Sequence, residues 1–366
     1  MSGSVVAKAA VAFGRGEPMR IEEITVRDPG PGEVRVRVAA CGVCASDLHV
    51  WQTGEGITFP AVFGHEASGV VESIGPGVTA VTPGQPVVLA WIPRCGTCAP
   101  CRKGRTHLCT GLRTNKDDGS LSFEGAPLGR YMSISGFAEL VVVNERAAIP
   151  VEVDLPLHSV CSVGCGVTTG FGAAVITGQA RWGECVAVFG CGGVGLSAVQ
   201  GARIAGAGRI IAVDPNPARR KLASQLGATD CISSEGGGAV AAIMKMTDGG
   251  VDLAIESVGT TDVLREAFDA LAAGGRAIAV GLTGYADEVS IPTMSLIFDK
   301  SLRGSIHGSA DPARDFPKIF QLAAQGKLKL DPMSGPDFPL EKINDAFAAS
   351  ANGSAIRPRI VFDSVR

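Results

Sequence analysis

The chain has 366 residues, 46% of them hydrophobic, and this length and composition predict two globular domains with substantial cores. Its formal net charge of −3 offers no basic surface for nucleic acid or for a polybasic membrane contact, so we expect neither partner. No apolar run reaches the roughly 18 residues of a membrane span, and the N-terminus lacks a secretion signal, which predicts a cytoplasmic protein. Eleven cysteines in such a chain favour metal sites over disulfides.

The first part of the chain, to about residue 165, alternates short apolar runs with Pro/Gly turns such as those at 29–32 and 75–77. This pattern predicts antiparallel strands in a mostly β, barrel-like domain. After a strand at the N-terminus, the predicted strands cover residues 21–26, 34–39, 69–73, 87–90 and 138–143.

The middle of the chain, from about 167 to 305, alternates apolar runs with helical segments, which predicts a parallel, doubly wound α/β sheet. The predicted strands cover 186–189, 209–213, 252–255 and 276–280, and the helices include 218–226 and 261–272. After about residue 310, a last helix pair and a strand at 360–362 are expected to return to the first domain.

A glycine-rich turn connects the strand that begins at Val186 with the Ala-rich segment after it. Gly190, Gly192 and Gly195 form a G-x-G-x-x-G pattern, which allows a tight turn, close approach of a pyrophosphate and close packing of helix on strand. The helix N-terminus adds free N–H groups and a positive dipole end. A second strand ends at Asp214, an acid that suits the ribose hydroxyls of NAD and repels the 2′-phosphate of NADP. We therefore predict that this segment binds NAD.

Four cysteines lie close together in the segment RCGTCAPCRKGRTHLC. Their C-x₂-C-x₂-C-x₇-C spacing can close a tetrahedral shell of thiolates around Zn²⁺, with no position open for substrate. An iron–sulfur cluster also takes four cysteines, but Thr110 follows the last one here, where ferredoxins have proline. The spacing favours a structural zinc site formed by Cys95, Cys98, Cys101 and Cys109.

A second set of candidate ligands is spread over the first half of the chain. Cys44 lies in CGVCASDLH, His65 in GHE and Cys165 in GCG. Together they would supply two sulfur ligands and one nitrogen ligand and leave a fourth position for water or substrate, as a catalytic zinc requires. Spacing alone does not bring such distant residues together, and each one also fits a buried thiol or a hydrogen-bonded imidazole.

In their order along the chain, these motifs resemble those of the zinc-dependent alcohol dehydrogenases of the medium-chain dehydrogenase/reductase superfamily, over essentially the whole sequence. The resemblance implies an α/β architecture: a mostly β, GroES-like catalytic domain and a Rossmann domain whose doubly wound parallel sheet binds NAD. The catalytic domain is expected at 1–166, completed by 310–366, and the NAD-binding domain at 167–309. The resemblance also implies two Zn²⁺ per chain, NAD as cofactor, and a small-molecule alcohol or aldehyde as substrate.

The resemblance assigns roles to the residues around the catalytic zinc. Cys44, His65 and Cys165 match its ligands. Glu66 matches an acid behind the metal that can approach it during ligand exchange, and Asp47 matches a carboxylate that orients His65.

In this family the proton of the alcohol leaves through a hydroxyl, the cofactor ribose and a histidine. Ser46 and His49 match the hydroxyl and the histidine, since serine both accepts and donates a proton and histidine titrates near neutral pH. The implied cofactor contacts, besides the three glycines and Asp214, are Thr169 at the nicotinamide, Gly193 and Val194 in the glycine-rich turn, and Arg219 and Arg357 at the adenosine ribose and pyrophosphate.

Residues of the substrate pocket point to two substrate classes. Trp91 matches a bulky ring in the channel of alcohol-oxidising relatives, and an apolar wall favours an aliphatic or aromatic alcohol. Arg113 and Glu55 fall where glutathione-dependent formaldehyde dehydrogenases carry an anion-binding arginine and an acid. The leading prediction is zinc-dependent oxidation of a primary or secondary alcohol with hydride transfer to NAD, and the reverse. The alternative is NAD-dependent oxidation of an S-hydroxymethyl thiol adduct, as in a thiol-dependent formaldehyde dehydrogenase.

Two further hypotheses stay open. One is an enzyme that keeps NAD(H) tightly bound and recycles it with a second substrate. The other is a non-catalytic, quinone reductase-like protein, which the complete ligand set argues against because such relatives lack the zinc ligands. Residues 301–308 resemble a strand that pairs across a two-fold axis, which implies a homodimer.

Overall fold

A computed structural model of the chain describes residues 3–112 and 118–363. The chain divides into two compact units: unit 1 comprises Met1–Cys165 and Asp311–Arg366, and unit 2 comprises Gly166–Ala310. The described strands of unit 1 form two largely antiparallel sheets, and those of unit 2 form one parallel sheet.

The first part of unit 1 is mostly strand, with short helices between the strands. Its strands are β1 Val5–Ala12, β2 Arg20–Val26, β3 Glu33–Gly42, β4 Ala61–Val62, β5 Glu66–Ile74, β6 Pro86–Leu89, β7 Leu121–Phe123, β8 Ala126–Pro127, β9 Gly129–Arg130, β10 Leu140–Asn144 and β11 Ala148–Pro150. Its α-helices are α1 Ala45–Thr53, α2 Ala99–Arg102 and α3 Leu157–Val160.

Unit 2 alternates strands and helices along the chain. Its strands are β12 Cys185–Phe189, β13 Arg209–Val213, β14 Asp230–Ile232, β15 Val251–Glu256, β16 Leu271–Ala279 and β17 Ser301–Gly304. Its α-helices are α4 Gly166–Gly172, α5 Gly193–Ile204, α6 Pro217–Leu226, α7 Ala239–Thr247, α8 Thr261–Asp269 and α9 Thr293–Ile297.

The last part of the chain returns to unit 1 with α10 Pro312–Ala324, β18 Asp337–Phe338, α11 Ile343–Ala351 and β19 Arg359–Val361. Strand β3, with sequence EVRVRVAACG, is central to the sheet that this segment joins, because it pairs with β5, β10 and β19. The register places Ile360 opposite Cys41. Both ends of the chain therefore contribute to one sheet of unit 1.

The parallel sheet of unit 2 has the strand order β14-β13-β12-β15-β16-β17. Its central strands are nearly continuous apolar runs, CVAVF in β12 and VDLAIE in β15, as expected of strands covered on both faces. Helix α6 begins where the side chain of Asn216 accepts hydrogen bonds from the N–H groups of Ala218 and Arg219. This doubly wound arrangement is the one predicted for the middle of the chain.

One predicted boundary is wrong. Residues 271 and 272 were assigned to the helix 261–272, but α8 ends at Asp269 and Leu271 begins β16. Leu271 pairs with Val251 of β15, and the Val251 N–H donates to the Ala270 carbonyl. Pairing in the sheet thus overrides the helical preference of the alanines that follow.

Among the described residues, no single helix is long and apolar enough to cross a membrane. The consecutive helical segments Leu157–Gly164 and Gly166–Thr177 satisfy the length and composition criteria only when they are taken together as a bent pair.

Candidate metal and dinucleotide sites

Cys44, His65 and Cys165 lie together in unit 1 and are named here the buried cluster. One ligand atom from each, a sulfur or a ring nitrogen, lies within 4.8 Å of the other two. Cys44 precedes α1, His65 precedes β5, and Cys165 follows the 3₁₀ turn Cys161–Gly164. All three residues are buried, so the set can enclose a cation away from bulk water.

Asp47 fixes two members of the buried cluster. Its carboxylate accepts a hydrogen bond from the Cys44 N–H at 3.0 Å and another from the Gly64 N–H at 3.0 Å. One of its oxygens also lies 3.2 Å from Nδ1 of His65. This contact leaves Nε2 of His65 as the ring nitrogen available to a metal. Asp47 is fully buried, as its predicted role behind His65 requires.

The electrostatics of the buried cluster fit a divalent cation. Burial lowers the pKa of the His65 imidazole, but the charges and hydrogen bonds of Asp47 and Cys44 together more than offset it and raise that pKa to about 10. A hydrogen bond from Cys165 lowers the pKa of the Cys44 thiol well below its ordinary value. The same hydrogen bond raises the pKa of Cys165 above its ordinary value. Two sulfur donors and one imidazole donor form the ligand set of a zinc site that keeps one position open.

Ser46 lies at the buried cluster, and His49 lies one helical turn further along α1. The Ser46 hydroxyl donates to Sγ of Cys44 at 3.3 Å and lies 3.3 Å from Nε2 of His65. His49 is half-buried, and its Nε2 is 3.4 Å from a carboxylate oxygen of Glu55. Helix α1 therefore carries a hydroxyl at the ligand atoms and an imidazole nearer to solvent.

Glu66 and Arg357 form a buried ion pair in unit 1. Burial lowers the pKa of Arg357, but the Glu66 carboxylate, together with the charges of Cys44 and Cys165, more than compensates and raises it above its ordinary value. The Arg357 guanidinium donates a hydrogen bond to the Glu66 carboxylate. The contacts predicted from the resemblance, Glu66 to the metal and Arg357 to the pyrophosphate, stay predictions.

Cys95, Cys98, Cys101 and Cys109 also lie together, in a segment named here the four-cysteine loop. Their sulfurs are within 4.8 Å of one another, with 4.0 Å between Cys95 and Cys101 and 3.9 Å between Cys98 and Cys109. A tetrahedral zinc with Zn–S bonds of about 2.3 Å separates its sulfur ligands by about 3.8 Å. The spacing of the sulfurs therefore fits one tetrahedral ion.

Polar hydrogens of the loop point at its sulfurs. Sγ of Cys95 accepts from the hydroxyl and the N–H of Thr97 and from the N–H of Cys98. These hydrogen bonds, led by that of the Thr97 hydroxyl, lower the pKa of Cys95 to about 5. The backbone N–H of Thr110 likewise lowers the pKa of Cys98. Such thiolates are prepared to bind a cation.

The glycine-rich turn of unit 2 needs its glycines for separate reasons. Gly190 has φ +91°, a left-handed conformation that side chains rarely adopt. A Cβ on Gly195 would lie 1.8 Å from the Gly190 carbonyl oxygen, so α5 can approach the turn only without a side chain there. Gly192 is the last residue before α5, which begins with Gly193 and Val194. The turn thus presents the N-terminus of a twelve-residue helix.

Asp214 follows β13 and has a structural role that its sequence position did not predict. Its carboxylate accepts from the Cys191 N–H at 2.7 Å and from the Asn216 N–H at 2.8 Å. The acid therefore connects the glycine-rich turn to the end of β13. Beside it, a cleft of about 160 Å³ is lined by Phe189, Gly190, Val213, Pro215, Val258 and Val263, among others.

The other predicted cofactor residues of unit 2 lie on helices near this turn. Thr169 is half-buried in α4, next to Gly170. A Cβ on Gly170 would lie 1.9 Å from the Val194 carbonyl oxygen, so α4 packs directly on the first turn of α5. Arg219 is half-buried in the first turn of α6.

Comparison with known proteins gives the family. The chain matches the family models for the alcohol dehydrogenase GroES-like domain over residues 30–153 and for the zinc-binding dehydrogenase over residues 193–325. It is 37% identical to the S-(hydroxymethyl)glutathione dehydrogenase of Haemophilus influenzae, over 98% of this chain and 97% of that protein. The chain belongs to the zinc-dependent alcohol dehydrogenases.

Solved structures agree with this assignment. An alcohol dehydrogenase zinc-binding domain protein from Burkholderia ambifaria is 38% identical, with a TM-score of 0.94 over 98% of this chain and 99% of its own. The benzyl alcohol dehydrogenase of Acinetobacter calcoaceticus is 33% identical, with a TM-score of 0.93 and the same coverage. The predicted GroES-like and Rossmann folds are confirmed. This zinc-dependent alcohol dehydrogenase acts on small-molecule substrates, and its cofactors are zinc and a nicotinamide dinucleotide.

Aromatic rings surround His65 of the dehydrogenase. Trp91 is buried, and its ring meets the imidazole edge-on at 6.1 Å between centroids. Tyr131 meets the imidazole edge-on at 5.4 Å, and burial raises the pKa of its phenol above its ordinary value. The sequence analysis did not identify Tyr131, since the segment LGRYMS has no periodicity or motif that marks it. Arg113, the predicted anion-binding residue, lies outside the described residues.

Proposed function

We propose that the enzyme oxidises the hydroxymethyl group of an S-hydroxymethyl thiol adduct, with hydride transfer to NAD. The observation that carries the proposal is the buried cluster, with the Ser46 hydroxyl 3.3 Å from two of its ligand atoms. The substrate class follows the similarity to S-(hydroxymethyl)glutathione dehydrogenase along nearly the whole chain. The reaction converts R–S–CH₂OH and NAD⁺ into the thioester R–S–CHO, NADH and a proton.

The residues of the buried cluster have distinct roles in this proposal. Cys44, His65 and Cys165 would hold a zinc ion, which would act as a Lewis acid and lower the pKa of a substrate hydroxyl. The Ser46 hydroxyl accepts the proton that this hydroxyl loses and donates its own proton onward. His49, with 33% of its side chain exposed, releases the proton to solvent.

The four-cysteine loop holds a second Zn²⁺ in this proposal, which gives two per chain. Four cysteine ligands leave no position for substrate, so this metal stabilises the fold around residues 95–109 and takes no part in the reaction.

Glu55 supports a charged thiol adduct as substrate. Its carboxylate is 47% exposed and lies 3.4 Å from Nε2 of His49, on the solvent side of α1. There it can attract the ammonium group of a peptide thiol such as glutathione. The role predicted for Arg113, binding of an anionic group of the substrate, remains part of the proposal.

Oxidation of a simple aliphatic or aromatic alcohol is the second candidate function. The specific observation in its favour is the buried ring of Trp91 against His65, an apolar wall beside the metal ligands. The similarity to the benzyl alcohol dehydrogenase of Acinetobacter calcoaceticus supports the same substrate class.

Formation of NADH distinguishes the two candidates. We would incubate the zinc-loaded enzyme with NAD and formaldehyde, with and without glutathione or mycothiol, and in parallel with ethanol, benzyl alcohol and long-chain alcohols. The proposal expects formaldehyde oxidation that depends on a thiol. Efficient oxidation of benzyl alcohol, with no stimulation of formaldehyde oxidation by either thiol, would contradict the thiol-adduct proposal and favour the second candidate.

We propose NAD rather than NADP as the cofactor. Asp214 lies at the end of β13 beside the glycine-rich turn, where its charge repels a 2′-phosphate. The apolar cleft next to it has room for a planar ring such as adenine. The ratio of kcat/KM for NAD to that for NADP tests this choice: we expect about 100 or more, falling steeply in Asp214→Ala. A ratio near one in the unmodified enzyme would contradict it.

We also propose that the enzyme is a homodimer. Among the described residues, β17 pairs only with β16, so its other edge can accept a strand from a second copy. Leu296, Ile297 and Phe298, just before β17 in the chain, are 52%, 73% and 61% exposed. Light scattering should give twice the chain mass, and Ile297→Asp should yield monomer. A monomer at micromolar concentration in the unmodified protein would refute the proposal.

A further inference from the structure

Tyr131 contacts two parts of the chain at the buried cluster: helix α1, which follows Cys44, and His65, which precedes β5. Its hydroxyl donates to the backbone carbonyl of Ser46 at 3.0 Å. Its ring meets His65 edge-on and packs on Phe63, with centroids 5.4 Å and 5.1 Å away. One side chain, only 2% exposed, therefore contacts both the first turn of α1 and a proposed metal ligand.

The backbone after Tyr131 is held in an unfavourable conformation. Met132, Ser133 and Ser135 have φ of 48°, 62° and 61°, in the left-handed region that side chains rarely adopt. Strained backbone of this kind persists only where the surroundings hold it, and it is concentrated at functional sites. The strain therefore indicates that the position of Tyr131 is maintained at a cost.

Two sets of hydrogen bonds hold this loop in place. The buried guanidinium of Arg130 donates to the carbonyls of Ser133 and Val142 at 2.6 Å and 2.7 Å. At the other end of the loop, the Gly136 N–H donates to the Gly64 carbonyl at 2.7 Å, directly before His65. The loop is thus tied to the chain next to the metal ligand, and it presents Tyr131 to α1.

We propose that Tyr131 is a positioning residue that fixes the Ser46 hydroxyl through a hydrogen bond to the Ser46 carbonyl, and the His65 ring through edge-on packing. The inference rests on the proton-transfer role proposed above for Ser46. Without the phenol, the first turn of α1 loses its attachment to the loop, and the Ser46 hydroxyl is less precisely held at the ligand atoms. Proton transfer is sensitive to such displacement, whereas NAD binding in unit 2 is not.

Tyr131→Phe tests the hydrogen bond, since it removes the hydroxyl and keeps the ring. We expect kcat to fall about tenfold, with the KM for NAD unchanged. Ser46→Ala should lower kcat further, and the double variant should be no slower than Ser46→Ala alone, because the hydroxyl acts only through Ser46. Ser68→Ala is the matched control: it removes another hydroxyl-to-carbonyl hydrogen bond of unit 1, from Ser68 to Leu157, and should keep the kcat of the unmodified enzyme.

The results for these variants distinguish failure of the role of Tyr131 from failure of the proposed function. Full kcat in Tyr131→Phe while Ser46→Ala is impaired would overturn the role of Tyr131 alone. Losses that multiply in the double variant would also overturn it, because the two residues would then act independently. Full kcat in Ser46→Ala would overturn the proton-transfer role of Ser46 and the inference with it.

The ring of Tyr131 is tested without an activity assay. In the enzyme with Co²⁺ at the buried cluster, Tyr131→Phe should keep the visible absorption bands of the unmodified protein, because the ring still packs on His65. Tyr131→Leu should shift these bands and speed the release of the metal to a chelator by about tenfold. Identical bands and release rates in both variants would show that the ring does not position His65.

Discussion

The side chains of the buried cluster come from residues 44, 65 and 165 and are all shielded from solvent, whereas those of the four-cysteine loop lie within residues 95–109 and are mostly part-exposed. In the buried cluster, both Asp47 and Tyr131 contact His65. In the loop, the sulfurs receive hydrogen bonds from neighbouring residues of the same segment, such as Thr97.

This difference indicates how each site depends on the rest of the protein. The loop can assemble from local chain and a metal ion, so its metal contributes directly to folding. The residues of the buried cluster come together only through the fold of unit 1, and three ligands of a bound zinc would leave one position for chemistry. We therefore expect changes in the buried cluster to remove activity and changes in the loop to remove stability.

Replacement of a buried ligand should have the largest effect. Cys165→Ala removes one of three ligand atoms, and we expect kcat/KM to fall by at least about a thousandfold, because transition-state charge loses its stabilisation. Metal analysis should find about one Zn²⁺ fewer per chain, with the loop still loaded. Activity above a tenth of the original would mean that the buried cluster does not carry the reaction.

A matched replacement in the loop should act on stability instead. Cys98→Ser removes one of four sulfur ligands, and we expect the free energy of unfolding to drop by about 3 kcal/mol or more. The folded fraction should keep kcat within about twofold, as no loop residue is assigned to the reaction. Denaturant unfolding and kcat measured on the same preparation check this. Loss of kcat in Cys98→Ser without loss of stability would contradict this division of roles between the two sites.

Asp47→Asn should affect the buried cluster and not the four-cysteine loop, because only the buried cluster has this buried carboxylate beside it. The substitution keeps the size of the side chain and removes the charge beside Nδ1 of His65. We expect the affinity of the buried cluster for zinc to fall by about 10- to 100-fold, with the loop unaffected. Competition with a metal indicator would measure both affinities. Equal loss at both sites would point to general unfolding rather than to the loss of an oriented ligand.

The smallest expected effect concerns Asp118, whose carboxylate accepts a hydrogen bond from Arg130, the residue that holds the loop after Tyr131. Burial raises the pKa of Asp118, but the charge of Arg130, together with hydrogen bonds from Ser120 and Arg130, more than offsets it and leaves that pKa below its ordinary value. Asp118 therefore stabilises the fold above its unfolded-state pKa, near 3.8, and the contribution is lost as the pH falls through the lower folded-state value. As the pH falls from 5 to 3, stability should decline more in the unmodified protein than in Asp118→Asn. Parallel unfolding curves of the two proteins over this range would contradict the prediction.

Sequence patterns predicted those parts of the structure that depend on contacts between residues close together in the chain. The four cysteines at 95–109 and the glycines of the turn after β12 lie where their spacing predicted, because neighbours in sequence are neighbours in space. Grouping Cys44 and His65 with the distant Cys165 required the resemblance to a known family. The pattern of residues around β3 predicted strands, and it did not predict that β19 from the C-terminus pairs with β3.

Other features could not be predicted because they depend on tertiary contacts. The position of Tyr131 results from a loop with Met132 and Ser133 at positive φ, and no local propensity favours that conformation in such residues. The pairing of Glu66 with Arg357 joins distant parts of unit 1. The end of α8 at Asp269 depends on the pairing of Leu271 with Val251.

The most direct test of the two-site account is a crystal structure of the protein with anomalous scattering recorded at the zinc edge. We predict two peaks per chain, one among the ligand atoms of Cys44, His65 and Cys165 and one among the four sulfurs of the loop. A peak in the loop with none at the buried cluster, in enzyme that is fully active, would contradict the assignment of the reaction to the buried cluster.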